Sequence, residues 1–535
     1  MMRSTTFAVL AGGIVVLGAT PASARDRRAQ VTPYIELGQV LTADLQSGDV
    51  LTYSTASAGI DASIQSRNAE VQISYRYERR FSWDKDVGDD DIHSGLARAA
   101  VKVAPGISIE GGALATRARS DIRGAAPAVL AGNVQNTSQV YAAYAGPTVS
   151  TNVGPASVGA SYRFGYTKVE EPSNTALPPG SRRLDNFDES AGHQLQASIS
   201  TAAGTVLPVG VTVSGAYERE NASQLKQRYE GTYGRGDAVL PVSPTLAVRA
   251  GVGYEKIKVS QKDPVLDAGG VPVVDRNGRY VTNNASPRRI AYETDGLIYD
   301  AGLVWKPSTR TTVEGRVGKR YGGTTYTGSI SYAASRSIGV QVGVYDSVDT
   351  FGRQLRDGIA SLPASFIDQR DAFGQQFSGC TFGQSNEQAG GCLNSVFQSI
   401  STASYRARGI DAVISANRGP VSFGVGAGYA KRRLYAPQGT TYTVYGVTDE
   451  SYYAQAFFNA TLDANSGVDA NVFANYYQSG IEVAPGVYSV GATGLYYRNF
   501  GRIGTTVSAG IYNFSQEGLD DQTSAQAQVG VRYSF

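Results

Sequence analysis

From Ile73 to Trp83 the chain reads ISYRYERRFSW, and its residues sort by parity. Ile73, Tyr75, Tyr77, Phe81 and Trp83 share one parity; Ser74, Arg76, Glu78, Arg80 and Ser82 share the other. Arg79 interrupts the apolar side near its aromatic end. A period of two belongs to a β-strand with one apolar and one wet face. The pattern returns in VGASYRFGYT from Val158, in VGVTVSGAYERE from Val209 and in SIGVQVGV from Ser337. No comparable stretch repeats at 3.6 residues, so the chain is read as all-β.

The connections alternate in length. Short turns fall near Ser66–Asn68, Ala104–Gly106, Val153–Pro155, Ala202–Gly204 and Val242–Pro244. Further ones fall near Lys306–Ser308, Ser335–Ser337, Asn417–Gly419, Ala464–Ser466 and Phe500–Arg502. Between them lie mostly longer polar stretches, such as Lys85–Asp91, Ser120–Asn136, Pro172–Asp188, Lys262–Arg289 and Phe351–Ser401. Short turns on one side and long loops on the other are the habit of an outer-membrane barrel. The spacing predicts a single transmembrane antiparallel β-barrel of about 22 strands, within a range of about 20 to 24, with both chain ends on the short-turn, periplasmic side. The first strand is expected near Pro33, with no N-terminal plug domain before it.

A soluble sandwich would also alternate. Its core would have to absorb the aromatic residues of some twenty strands, an outsized demand for one domain. Tyr is 33 against 17 Phe, and Tyr166, Trp83, Tyr332 and Trp305 stand towards strand ends, where a membrane interface takes them. In hydrocarbon every backbone N–H and C=O must be paired within the protein, which a closed sheet achieves. Only 18% of residues are charged and the net charge is +2, which makes no electrostatic case for nucleic acid.

The N-terminus supplies Arg3, the apolar stretch FAVLAGGIVVLG from Phe7, and the small residues of Ala22-Ser23-Ala24. That is the layout of a secretory signal peptide over residues 1–24, leaving a barrel over 25–535. At the other end, AQAQVGVRYSF places Val529, Val531, Tyr533 and Phe535 on one parity and Gln526, Gln528, Arg532 and Ser534 on the other. This ending resembles outer-membrane barrel proteins of diderm bacteria, which commonly finish on an aromatic residue after alternating apolar ones. The resemblance implies that these four residues are an assembly signal read by the barrel-assembly machinery, in a strand that closes on the first near Tyr34.

By parity Arg76, Arg80, Arg163, Arg249, Arg316, Arg320 and Arg532 point into the lumen with Glu78, Glu218, Glu220, Glu255 and Glu314. Inward charges imply a wet lumen and leave transport open. Cys380 and Cys392 bracket TFGQSNEQAGG in the longest loop and are expected to form a disulfide. The loop they pin either folds into the lumen or projects outwards. No metal site is expected of two Cys without nearby His. The acidic tip Asp84–Asp91 reads as a solvated loop; calcium is the alternative that its carboxylates raise, without EF-hand spacing. His93 and His193 read as neutral rim residues, with no catalytic residues and no cofactor implied.

Two further stretches resemble the outer-membrane barrel proteins associated with PEP-CTERM/exosortase and exopolysaccharide loci. One is Val31–Ser63, an opening strand, an Asp-bearing loop and a Gly-containing second strand. The other is Gly315–Val348, with Tyr321-Gly322-Gly323 at its turn. The resemblance implies a non-enzymatic envelope role in exopolysaccharide export or surface assembly. The expected partners are outer-membrane lipid and lipopolysaccharide, the assembly machinery and polysaccharide-export proteins. A general porin for small polar solutes is the alternative, and an outer-membrane enzyme a third.

Overall fold

A computed structural model describes residues 28–83, 90–121, 137–170, 185–335, 337–367, 372–373, 379–383, 389–398, 400–439, 444–481, 486–517 and 521–535. The expected signal peptide and the Asp84–Asp89 part of the acidic tip lie outside them. One antiparallel sheet of 22 strands runs round the molecule, and its last strand (Gln522–Ser534) pairs with its first (Arg28–Asp44). The seam runs in register from Tyr34 opposite Ser534 to Asp44 opposite Ser524. Closure removes both sheet edges, so the ladder satisfies the backbone all round the ring. Among the described residues no helix is long and apolar enough to cross a membrane.

The closing strand shows how parity becomes two faces. Val529 and Phe535 are 59% and 64% exposed, whereas Gln526 and Gln528 are 4% and 5% exposed. Along the Ala69–Ser82 strand, Ser74, Arg76, Glu78 and Arg80 are buried while Phe81 is exposed. Apolar residues therefore face outwards and polar ones inwards. Trp83 and Tyr166 stand exposed towards the long-loop end; Trp305 and Tyr332 stand exposed towards the short-turn end. Two aromatic belts bracket the apolar band, as a bilayer requires.

Three boundaries differ from expectation. The first strand begins at Arg28, ahead of Pro33. The turn expected at Lys306–Ser308 falls at 309–310 instead, after the strand Arg289–Ser308, and Ser308 and Thr311 hydroxyls close it at 3.1 Å. Pro307 lies where the register shifts, a place that tolerates its missing N–H. The turn near Ala202–Gly204 extends over 202–209, between Glu189–Thr201 and Gly210–Ala222.

The longest connection, between strands Ile338–Asp349 and Ser404–Arg418, folds inwards. It opens with helix α1 (Phe351–Ser361), which packs on strands Ile107–Arg119, Thr137–Val153, Ala156–Glu170 and Glu189–Thr201. Other parts of the same connection touch Gln72, Arg432, Gln455 and Ser508. A segment that meets strands all round a closed ring lies inside it. Ser365 meets Gln65, next to a short turn, at 3.3 Å, so the loop spans the lumen from the long-loop end to the short-turn end.

The helix corrects the sequence reading, which found no 3.6-residue pattern. Phe351, Leu355 and Ile359 recur every four residues and are fully buried. They join Leu362, Val396 and Ile400 against the wall residues Leu96, Leu114, Val140 and Val169. Each buried side chain contributes about 1.5–3 kcal/mol. Thr350 caps the helix, its hydroxyl accepting from Arg353 N at 3.4 Å. Gly165 admits the helix to the wall: a Cβ there would stand 2.7 Å from Arg356 Cδ. Beyond α1, Phe366–Ile367, Cys380–Gly383 and Gly390–Cys392 form a small three-stranded sheet.

Candidate functional site: an occluded lumen

Ionic contacts fasten the inserted loop to one wall. Glu218 accepts from Arg353 at 2.5 Å and also from Arg356. Arg353 pairs with Asp349 at 3.0 Å and lies 3.6 Å over the Tyr229 ring. The Thr350 hydroxyl, besides capping α1, donates to Glu220 at 2.8 Å. Arg98 donates to the carbonyls of Leu362 and Ala360 at 3.2 and 3.1 Å, at the helix C-terminus where cations are favoured. Across the ring Arg432 donates to Val396 O at 2.9 Å and to Gln354 at 2.7 Å. Gln455 accepts from Cys380 N at 2.9 Å, and Ser508 donates to Ala372 O at 2.8 Å. Glu218 and Glu220 were among the residues assigned to the lumen lining; here they hold the loop.

The other lining candidates fall mostly into ion pairs, within one strand or across the lumen face between strands that are seldom immediate neighbours. Arg76 lies between Glu36 (3.0 Å) and Glu78 (2.9 Å), and Arg80 reaches Glu78 at 3.2 Å. Arg163 is 3.6 Å from Glu110. Arg249 and Arg316 share Asp237 at 3.6 and 3.7 Å, and Arg320 pairs with Glu255 at 2.5 Å. Arg532 meets Asp61 at 2.8 Å and stacks 3.4 Å over Tyr34. Glu314 is half-buried, in register between Val304 and Ser329. Asp237, Arg98 and Arg432, which the sequence reading did not single out, share the inward parity of their strands; that parity was the available signal.

The lumen is less wet than inward charges alone implied. An apolar cluster of loop and wall fills one side. On the other side a cavity of about 650 Å³ remains, bounded by Tyr34, Asp61, Phe373, Asn471, Tyr497 and Gln528 among others. Its lining residues Asn499, Gly504 and Ser534 lie beside the short turn and the chain end, so the cavity occupies the half nearest the short turns.

Cys380 and Cys392 are bonded, in register across the small hairpin. His93 and His193 lie with outward-facing residues, each hydrogen-bonded through Nδ1 to a tyrosine hydroxyl, Tyr75 at 2.6 Å and Tyr162 at 2.7 Å. Of the acidic loop, Asp90 lies 3.4 Å from Arg117 and Asp91 2.7 Å from Arg79. Among the described residues no group of three or more His, Cys, Asp or Glu is placed to hold a metal ion. Val529, Val531 and Phe535 are exposed, and Tyr533 packs edge-on against Phe535 at 5.1 Å.

At the long-loop end the returning leg of the insert is tied down. Asp185 accepts from Gln224 at 2.6 Å and from Tyr280 N at 2.9 Å, and its carbonyl accepts from Thr402 N at 3.0 Å. Burial pushes the Asp185 carboxyl up to about 7, against the hydrogen bonds that favour its ionised form.

No protein-family model matches the chain, and neither does any curated protein. Among solved structures it is similar to the FrpB iron transporter from Neisseria meningitidis, at 9% identity over 94% of this chain and 81% of that one, with a TM-score of 0.44. It is similar to the ferric-catecholate import receptor Fiu from E. coli K12, at 9% identity over 96% and 82%, with a TM-score of 0.45. It is similar to OccAB4 from Acinetobacter baumannii, at 9% identity over 96% and 99%, with a TM-score of 0.31. None of these likenesses carries a ligand or a direction of transport to this chain. The ring itself identifies the class. A closed antiparallel sheet of 22 strands, apolar outside and charged inside, with aromatic belts at both ends, is an outer-membrane β-barrel.

Proposed function

We propose that the protein is a gated outer-membrane conduit for polar solutes, non-enzymatic, with α1 and the small hairpin Cys380–Cys392 of the inward-folded connection, in their described residues, as its gate. One observation carries this reading: the insert is fastened to the wall by Glu218 and Glu220, and a cavity is left on the opposite side. The loop is held by its apolar cluster and by ionic contacts centred on Glu218; removing the ionic contacts weakens that hold, and release widens the path. Recordings from the purified protein in planar bilayers test it. Wild type should show small, infrequent openings, and Glu218→Gln should raise the conductance several-fold. Equal conductance in the two proteins would end the reading.

A second reading makes the conduit part of exopolysaccharide export or surface assembly. It is supported by the resemblance of Val31–Ser63 and Gly315–Val348 to barrels of such systems. The second of these stretches runs directly into the gate at Asp349. Loss of surface polysaccharide on deleting the gene, restored by wild type and not by a barrel lacking residues 351–399, tests this reading.

A further inference from the structure

On two neighbouring strands the outward face carries an unbalanced charge. Strand Ser404–Arg418 leaves the inserted connection and turns tightly into Val421–Tyr435, so the start of the first and the end of the second lie at the long-loop end. Exposed Ile410, Ile414, Phe423 and Val425 fix the outward parities. Those parities carry Arg406 and Arg408 on one strand and Lys431 and Arg433 on the other. In register, Arg406 stands opposite Arg433 and Arg408 opposite Lys431. Like charges directly opposite each other destabilise a sheet. The contrast is Lys256, also outward, which stands in register with Asp295 and pairs with it at 2.8 Å. Two carboxylates share the face with the four cations. Asp346 is buried and taken up by Arg406, which donates to both its oxygens at 2.8 Å; Arg408 reaches it as a second guanidinium at 3.1 Å. Both arginines also donate to Thr324 O, at 2.9 and 2.7 Å. Glu450, on the next strand, pairs with Lys431 at 2.6 Å. Arg433 is exposed and has no carboxylate partner among the described residues.

Three of these cations are open to a ligand: Arg408, with a side chain 42% exposed, Lys431 at 45%, and Arg433. They form a compact triangle, since cross-strand partners stand about 4.5–5.5 Å apart and Arg433 lies two residues beyond Lys431. The next row towards the membrane is aromatic. Tyr429, Tyr452 and Tyr476 stand in register on three adjacent strands, their rings 4.9 and 6.1 Å apart. Such a row marks the water–lipid interface, so the triangle lies at headgroup level on the long-loop side. Ala412, Ala427 and Ala454 follow in register below it and leave room beside the wall for an acyl chain. We infer that Arg408, Lys431 and Arg433 bind the phosphorylated headgroup of an outer-leaflet lipid. A phosphate among the three offsets their mutual repulsion, and arginine forks match its oxygens. The acyl chains of the same molecule run past the tyrosine row along the apolar band. A soluble anion would meet the charge and leave that adjoining face unused; a lipid engages both. The site lies on the outside of the barrel and does not depend on the gate.

The test is native mass spectrometry of the purified full-length protein titrated with diphosphoryl lipid A. Saturable binding is expected, and excess inorganic phosphate should not displace the lipid. Dephosphorylated lipid A should bind about tenfold or more weaker, because it forfeits all three cations. Lys431→Gln and Arg433→Gln should each weaken binding of the diphosphoryl form about fivefold or more, with the heat-modifiable barrel intact. Arg433 has no ion pair to lose among the described residues, so its variant separates binding from folding. Lys256→Gln, which removes an outward cation already matched by Asp295, should bind as wild type does. Equal binding of the dephosphorylated lipid overturns the inference, as does undiminished binding by both variants or an equal loss in Lys256→Gln. Displacement by inorganic phosphate would make this a soluble-anion site and overturn the lipid assignment.

Discussion

The disulfide of the inserted loop lies against Gly426: a Cβ at that position would stand 2.4 Å from the Cys380 sulfur. Gly424, two residues away on the same inward parity, leaves room for the Phe382 ring in the same way. The wall is thinned where the hairpin docks. Gly426→Val should therefore push the hairpin off the wall while leaving the strand ladder intact. The expected outcome is higher single-channel conductance and faster labelling of Cys380 and Cys392 by a bulky maleimide after mild reduction. Unchanged labelling and conductance would contradict the docking.

Glu218 is the anchor of the gate at its helical end. Glu218→Gln removes the carboxylate that Arg353 and Arg356 share, their side chains being 8% and 3% exposed, and leaves Arg353 to Asp349 and Arg356 to Asp357. Breaking a buried pair from one side costs about 3–5 kcal/mol. Amide exchange over α1 should accelerate by about 100-fold or more, since about 1.4 kcal/mol is a factor of ten. Exchange in the barrel strands should stay as in wild type.

Asp185 predicts a pH dependence at the long-loop end. Its folded carboxyl titrates at about 7, above its ordinary 3.8. Between those values the folded loop binds more protons than the unfolded one, so its stability falls as pH rises. The tie to Gln224, Tyr280 and Thr402 should hold at pH 5 and loosen towards pH 8. Limited proteolysis of the long-loop end should be faster at pH 8 in wild type. Asp185→Asn should show the same rate at both pH values.

Phe535 is the outward-facing end of the closing strand, its N–H donating to Pro33 O at 3.1 Å. We propose that Val529, Val531, Tyr533 and Phe535 form the assembly signal. Deletion of Phe535 should reduce insertion into the outer membrane, read as the amount of heat-modifiable barrel in membrane fractions. Wild-type levels in the deletion would refute this role.

Much of the ring was legible from local pattern. Parity along Ile73–Trp83 assigns Arg76, Glu78 and Arg80 to one face, and the structure buries those three. Alternating turn lengths gave the strand number, and the terminal parity gave the seam at Tyr34 and Ser534. The helix was not legible, because α1 is 11 residues long and lies in a polar, Gly-containing stretch where three apolar positions at spacing four do not stand out.

The sequence by itself determined the sheet, its closure and which side of each strand faces lipid. These follow from side-chain alternation and turn chemistry, which act over a few residues at a time. Only the tertiary structure decided that the longest loop turns inwards and where it rests. That choice depends on matches between residues far apart in the chain: Glu218 with Arg353, Gly165 with Arg356, Gly426 with Cys380. An inward glutamate reads the same whether it faces water or a guanidinium, and an inward glycine reads the same whether it is spare space or a dock. The difference arises when the ring brings those walls within reach of the loop.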